Sequence, residues 1–247
     1  MEKRFNANHL KLIAIVAMTI DHAADLLFPG FPAEPLPISL HIIGRLTAPI
    51  MWFFICEGFF YTKNIKKYTS RMLILAVISH FAYCFAFGIN FIPFITGNIF
   101  NQTSVILPLA LALIALYIRY KNTSLKEWQK RLLETVIILL AFPGDWSSIA
   151  VLSILYMYKN RTNLKRQMLC MMAFVVMYGV VSFFCVNKVY AVVQLGVILV
   201  YPLLAQYNGQ KGKAKWMKWF FYAYYPAHLV VVGIIRLLVY GNVPLLF

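Results

Sequence analysis

Apolar residues in this chain come in long runs, separated by short clusters of Lys and Arg. A helix needs about 20 apolar residues to cross about 30 Å of hydrocarbon. Runs near that length fall at 9–29, 39–61, 71–92, 103–120, 127–143, 146–158, 167–187, 189–207 and 217–240. The pattern predicts an all-α, polytopic membrane bundle of about nine transmembrane helices. Pro143, Gly144 and Asp145 interrupt the fifth and sixth runs, and the sixth is short for a full span. These two are expected as tilted helices or as a re-entrant hairpin, since broken backbone at membrane depth must be buried or face water. No repeat or linker divides the chain, so residues 1–247 are expected to form a single integral membrane domain.

Charge placement orients the bundle. Lys3, Arg4 and Lys11 flank the first run, and Lys63, Lys66, Lys67 and Arg71 follow the second. Arg119, Lys121, Lys126, Lys130 and Arg131 follow the fourth, and Lys159, Arg161, Lys165 and Arg166 the sixth. Lys211, Lys213, Lys215 and Lys218 follow the eighth, while the loops between these clusters lack Lys and Arg except for Lys188. Cytoplasmic loops are the basic ones, so the amino terminus is expected in the cytoplasm and the carboxyl terminus outside a cytoplasmic membrane. The first run carries Asp21, His22 and Asp25 without a small-residue cleavage site, and is expected to be retained rather than removed as a signal peptide.

Composition agrees with the pattern. The chain is 62% hydrophobic and 13% charged, where soluble domains carry about 25% charged residues. The net charge of +15 would suit a nucleic-acid binder. Its confinement to loops instead reads as topology, so membrane lipids are the expected partners and nucleic acid is not. Cys56, Cys84, Cys170 and Cys185 have no paired spacing, which argues against a disulfide framework or a zinc site, and no metal is expected.

Ionisable groups inside the runs carry the candidate chemistry. A charge at the bilayer centre costs about 2.5–3.5 kcal/mol on insertion scales, so each one that survives is a functional candidate. They are Asp21, His22 and Asp25 in the first run, His41, Arg45 and Glu57 in the second, His80 in the third, Asp145 at the break, and His228 and Arg236 in the last. At about 1.5 Å per residue, His22 lies about 18 Å and His228 about 14 Å from the cytoplasmic end, both near the midplane. Arg45, Arg236 and Asp145 fall in the outer half, so the set suggests one polar cavity opening outward. His22 and Asp25 share a helical face, Asp21 and Asp25 are four apart, and so are His41 and Arg45. A carboxylate beside an imidazole fixes its tautomer and raises its basicity, as a general base requires. The competing reading makes Asp21–Arg45 or Asp145–Arg236 buried ion pairs that fix helix packing. Glu57 could pair with Lys63 or Arg71, and His80 could satisfy a polar spot between helices. Pro49 follows Arg45 by one turn, and Pro226 precedes His228, each removing a backbone donor and kinking its helix. Tyr224 lies one turn before His228 and could supply a hydroxyl near it.

Four segments together resemble the TraX family, membrane proteins named for the enzyme that acetylates the amino terminus of conjugative pilin. They are Lys11 to His22, Gly44-Arg45 through Arg71, Gly144-Asp145-Trp146, and Tyr225-Pro226-Ala227-His228-Leu229. The first helix, a basic residue followed by an apolar stretch ending in His22, also looks like the opening helix of the membrane-bound acyltransferase type 3 class. There the corresponding histidine is regarded as the catalytic base. That class has Arg where this chain has Lys11, and Asp21 directly before the histidine is a second departure.

The resemblance implies an acyltransferase using acetyl-CoA as donor. His22 is the expected base, with Asp21 or Asp25 orienting it, and Arg45 and His228 stabilising the oxyanion. His41, Glu57, Tyr224, Asp145 and Arg236 are the expected substrate contacts, and Lys11, Lys63, Lys67 and Arg71 the expected holders of the CoA phosphates. The acceptor, an amine or hydroxyl on a peptide, glycan or lipid, is left open. Two rival readings fit the same charges: a proton-coupled carrier, against which stand the missing inverted repeat and the odd helix count, and a non-catalytic membrane assembly or sensor protein.

Overall fold

A computed structural model describes residues 3–95, 99–214 and 216–245, so Lys215 of the last basic loop lies outside the described residues. Among these every regular element is helical: α1 (Ala7–Leu27), α2 (Pro35–Gly44), α3 (Thr47–Tyr61), α4 (Ile65–Phe87), α5 (Ile106–Tyr120), α6 (Glu127–Ala141), α7 (Ser147–Lys159), α8 (Leu164–Cys185), α9 (Lys188–Val193), α10 (Tyr201–Ala205) and α11 (Met217–Tyr240). A 3-10 stretch, Gln194–Val200, joins α9 to α10. Each of the nine predicted runs has a helical counterpart, two of them broken into pieces.

Both breaks follow from a proline. Pro49 has no N–H to give the Arg45 carbonyl, and the chain between α2 and α3 turns at Arg45–Leu46, where the Leu46 N–H reaches back only to Ile43 O (3.1 Å). Pro202 likewise leaves the Ile198 carbonyl to the Tyr201 N–H, three residues on, which tightens that turn into 3-10 geometry. Pro226 sits inside α11 without ending it.

Among the described residues five stretches are long and apolar enough to cross a membrane: Pro35–Tyr61, Ile65–Phe87, Leu164–Cys185, Lys188–Ala205 and Met217–Tyr240. Only 28% of the apolar window of Leu164–Cys185 and 33% of that in Met217–Tyr240 is buried inside the protein. Much of the remainder, including Phe184 and Leu238, is exposed apolar surface of the kind a bilayer covers. α1 falls outside this set because Lys11, Asp21 and Asp25 interrupt it. α7 has 13 residues, a rise of about 20 Å, so the short sixth run stays short in the fold.

α4 lies between α11 and α5, α1 packs on α2 and α3, and α7 fits between α5 and α8. Trp52, Phe59, Phe87, Leu113 and Met157 fill the interior between them. The turn between α6 and α7 is built against the loop before α5. Gln102 N–H and Thr103 N–H donate to Pro143 O (2.7 and 3.2 Å), and Asp145 N–H donates to Thr103 O (2.8 Å). Trp146 and Ser147 then adopt left-handed backbone (φ 61° and 49°), conformations that cost non-glycine residues energy and persist only where surroundings enforce them. Gly144 permits the approach, because a Cβ there would overlap the Pro108 ring. Gly144→Ala should therefore destabilise the protein by about 1–3 kcal/mol, read as a lower melting temperature in detergent. Leu238→Ala, on the exposed face, should leave the melting temperature unchanged.

Candidate functional site

α1, the α2–α3 break, α3, α4, α5, the α6–α7 turn, the loop 207–214 and α11 line a cavity of about 570 Å³, within the range of ligand sites. Asp21, His22, Arg45, Asp145 and Trp146 stand at one end and Lys11, Arg71, Lys211 and Lys218 at the other. Met18, Met51, Ile55 and Leu75 lie along the apolar stretch between.

At the first end two networks lie side by side. Arg45 Nη2 donates to both Asp21 oxygens (2.8 and 2.9 Å), Nη1 to Gln194 Oε1 (3.2 Å) and Nε to the His41 carbonyl (3.3 Å). His41 Nδ1–H donates to the same Asp21 carboxylate (2.8 Å). Its ring stacks on Phe31 (4.3 Å between centroids). The Arg45 guanidinium also lies 5.8 Å from the ring centroids of both Trp146 and Tyr190. Of the ion pairs weighed from sequence, Asp21–Arg45 is therefore present. Gln194, which sequence reasoning missed, completes it; the signal was an amide in the interior of the apolar run 189–207.

The second network is a chain of imidazoles. His22 Nδ1 lies 2.9 Å from His228 Nε2, with the two rings nearly coplanar (3°). His228 Nδ1 lies 2.9 Å from the Tyr224 carbonyl oxygen. A carbonyl only accepts, so Nδ1 of His228 carries a proton and Nε2 of the neutral ring is an acceptor. His22 must then donate from Nδ1, which leaves its Nε2 as the bare lone pair of a cavity-lining residue. The Tyr224 ring lies parallel to His228 (9°, 5.3 Å), and its hydroxyl is hydrogen-bonded to Thr19 (2.7 Å).

Several residues take places other than those the sequence suggested. His228, expected as an oxyanion donor, has both ring nitrogens committed, to His22 and to Tyr224 O. Asp25 is buried but makes no hydrogen bond to His22 among the described residues; the imidazole takes the place expected of a carboxylate. His41 is buried behind Asp21 and outside the cavity wall. Arg236 forms no ion pair with Asp145 among the described residues; its guanidinium donates to the carbonyls of Phe85 (3.2 Å), Gly241 (3.2 Å) and Val243 (3.0 Å), tying the segment after α11 to α4. Glu57 lines the cavity, yet its partner is Arg161 (2.8 Å), not Lys63 or Arg71. Lys63 and Lys67 lie outside the cavity wall, whereas Lys211 and Lys218, expected only to set topology, are part of it. His80 is bonded to Thr103 Oγ1 (2.9 Å) and donates to Phe91 O (2.7 Å), a loop-pinning arrangement.

The groups at the cavity end come from the segments that are most distinctive in sequence. The profile of the family described as TraX protein matches residues 6–236. A probable fimbrial assembly protein, FimC of serogroup H1 from Dichelobacter nodosus, is 33% identical over 237 residues, covering 92% of this chain and 94% of the relative. No solved structure matches the chain. The family match begins just ahead of α1 and ends at Arg236, so it takes in every helix that builds the cavity, and the chain belongs to the TraX family.

Proposed function

We propose that the protein is an integral membrane acyltransferase that moves an acetyl group from acetyl-CoA to an amine or hydroxyl acceptor in or across the membrane. The observation carrying this reading is the bare Nε2 of His22 on the cavity wall, fixed in that tautomer by His228 and the Tyr224 carbonyl. A general base needs an unprotonated nitrogen held in one orientation, and this chain supplies it without a carboxylate.

His22 Nε2 would take the proton from the acceptor N–H or O–H as that atom attacks the thioester carbonyl. Collapse of the tetrahedral centre breaks the C–S bond, and the proton passes from His22 to the departing CoA sulfur. Arg45, locked by Asp21, supplies a fixed positive charge near the oxyanion, where a water-poor wall makes it count most. Asp145, beside the strained turn, is the remaining carboxylate at this end for contact with the acceptor. The chain is read as one membrane domain of about nine crossings with the amino terminus in the cytoplasm, since the basic cavity end then faces the cytosolic donor.

The name of the relative favours a second reading, a non-catalytic part in fimbrial assembly. The two separate on His22. With radiolabelled acetyl-CoA and host membrane and periplasmic extract, His22→Gln should lower label transfer by about 10²–10⁴-fold while expression and melting temperature stay near wild type. Full transfer by this variant would remove His22 as base, and absence of transfer by the wild type would favour the assembly role.

His228 is a positioning residue in this scheme, and its variants should differ by hydrogen-bonding capacity. His228→Leu leaves His22 Nδ1 without an acceptor and should lower kcat about 100-fold with little change in KM. His228→Gln keeps one acceptor and one donor and should recover most of that loss. Equal defects in both variants would mean that His228 matters only for packing.

A further inference from the structure

The basic end of the cavity holds cations whose partners the pairings above do not supply. Glu57 is committed to Arg161 (2.8 Å), and Asp21 to Arg45 at the opposite end. Lys11 meets no carboxylate among the described residues; its ammonium lies 5.0 Å from the Phe54 ring centroid and 5.6 Å from that of Phe221. Arg71 lies beside Tyr222, and its Nε is buried without a hydrogen-bond partner. Lys11 is close enough to Lys211, and Lys218 to Arg71, for each pair to repel. Like charges gathered at the mouth of an apolar cavity are unfavourable unless an anion joins them.

This gathering is held by the backbone. Ala7 N–H donates to Gln210 O (2.8 Å) and Asn208 N–H to Phe5 O (2.9 Å), while the Asn8 amide donates to Ala214 O (3.3 Å). Gly212, at φ +87°, sits where a side chain would strike Asn8. The loop carrying Lys211 is thereby fastened beside the start of α1, facing Lys11.

The separation of the two cavity ends is informative. Lys11 and His22 are eleven residues apart on α1, a rise of about 16 Å. A phosphopantetheine arm has roughly the chain length of four residues and spans about 14 Å when extended. A diphosphate and a phosphomonoester together carry about four negative charges, against four cations at this end.

We propose that Lys11, Arg71, Lys211 and Lys218 form a site for the 3′-phosphorylated ADP portion of a CoA thioester, whose arm lies along α1 and brings its acyl group to His22. The proposal rests on the acyl-transfer reading for its ligand, and assigns Lys211 and Lys218 a role beyond setting topology.

Calorimetric titration of the protein in phosphatidylcholine nanodiscs tests it, comparing CoA, 3′-dephospho-CoA and 4′-phosphopantetheine. CoA should bind about 10-fold more tightly than dephospho-CoA, and more tightly still than phosphopantetheine. The exposed pair Lys211→Gln/Lys218→Gln should weaken CoA at least 10-fold and phosphopantetheine far less. Equal affinity for all three ligands, or unchanged CoA affinity in the double variant, overturns the proposal. So does loss of CoA binding in phosphatidylglycerol discs, which would assign the mouth to lipid headgroups. The expected ranking without acyl transfer by the wild type would sink the acyl-transfer reading and leave the CoA site standing. Equal KM for acetyl-CoA and acetyl-pantetheine in a working transfer assay would do the reverse.

Discussion

The buried ion pair between Asp21 and Arg45 is the constraint on which the rest of this architecture turns. Removing one partner of such a pair commonly costs about 3–5 kcal/mol, because the survivor is left charged and unsolvated. Here the survivor would also lose its place in a network that holds four segments together: α1 through Asp21, α2 through His41, the α2–α3 break through Arg45, and the 3-10 stretch through Gln194. The break itself depends on Pro49, which frees the Arg45 carbonyl and lets the chain turn where the guanidinium must reach inward. Without that turn Arg45 would continue along a straight helix; with it, the cation becomes part of the cavity wall beside His22.

His22 is the residue next to Asp21, so the ion pair also sets the rotation of α1 about its axis. With Asp21 turned toward Arg45, the following residue is carried about 100° around the helix, to the side where α11 approaches. There it meets His228 in the plane of its own ring and Phe87 edge-on (5.5 Å). Two carboxylates lie nearby in sequence, yet an imidazole is the neighbour that fixes the tautomer. The physical difference matters: a carboxylate would bring a second anion beside Asp21, whereas a neutral imidazole backed by a carbonyl orients the base without adding charge.

Much of this was legible in the sequence, and the parts that were not have definable causes. Helix positions could be read because apolar length and loop charge are local properties. The set of intramembrane charges could be read because each is costly and so stands out. Their pairing could not, since helical spacing says which residues share a face, not what packs against it. Asp25 and His22 share a face and do not bond, while His22 and His228 are 206 positions apart and do. Arg236 stood out by its charge, but its work is to cap carbonyls at a chain end, which sequence does not distinguish from binding. Lys63, Lys67, Lys211 and Lys218 look alike as loop charges; Lys211 reaches the cavity because 206–214 folds onto the start of α1, and Lys218 because it stands on the first turn of α11.

The same loop charges can serve topology and chemistry together. The positive-inside rule needs only that Lys and Arg collect near the ends of the spans on one side, without fixing where each side chain points. Several of the basic residues here satisfy that requirement while exposed. Lys11 does not: it lies on α1 between aromatic rings, in a setting where a solvated lysine would set topology equally well at lower cost. A half-buried cation held between aromatic rings, with no carboxylate committed to it among the described residues, calls for an anion from outside the chain. The short α7 and the strained turn that starts it close the other end of the same space. The cavity thus runs from a cationic mouth to a neutral, oriented base, a gradient suited to a ligand that is highly charged at one end and uncharged where it reacts.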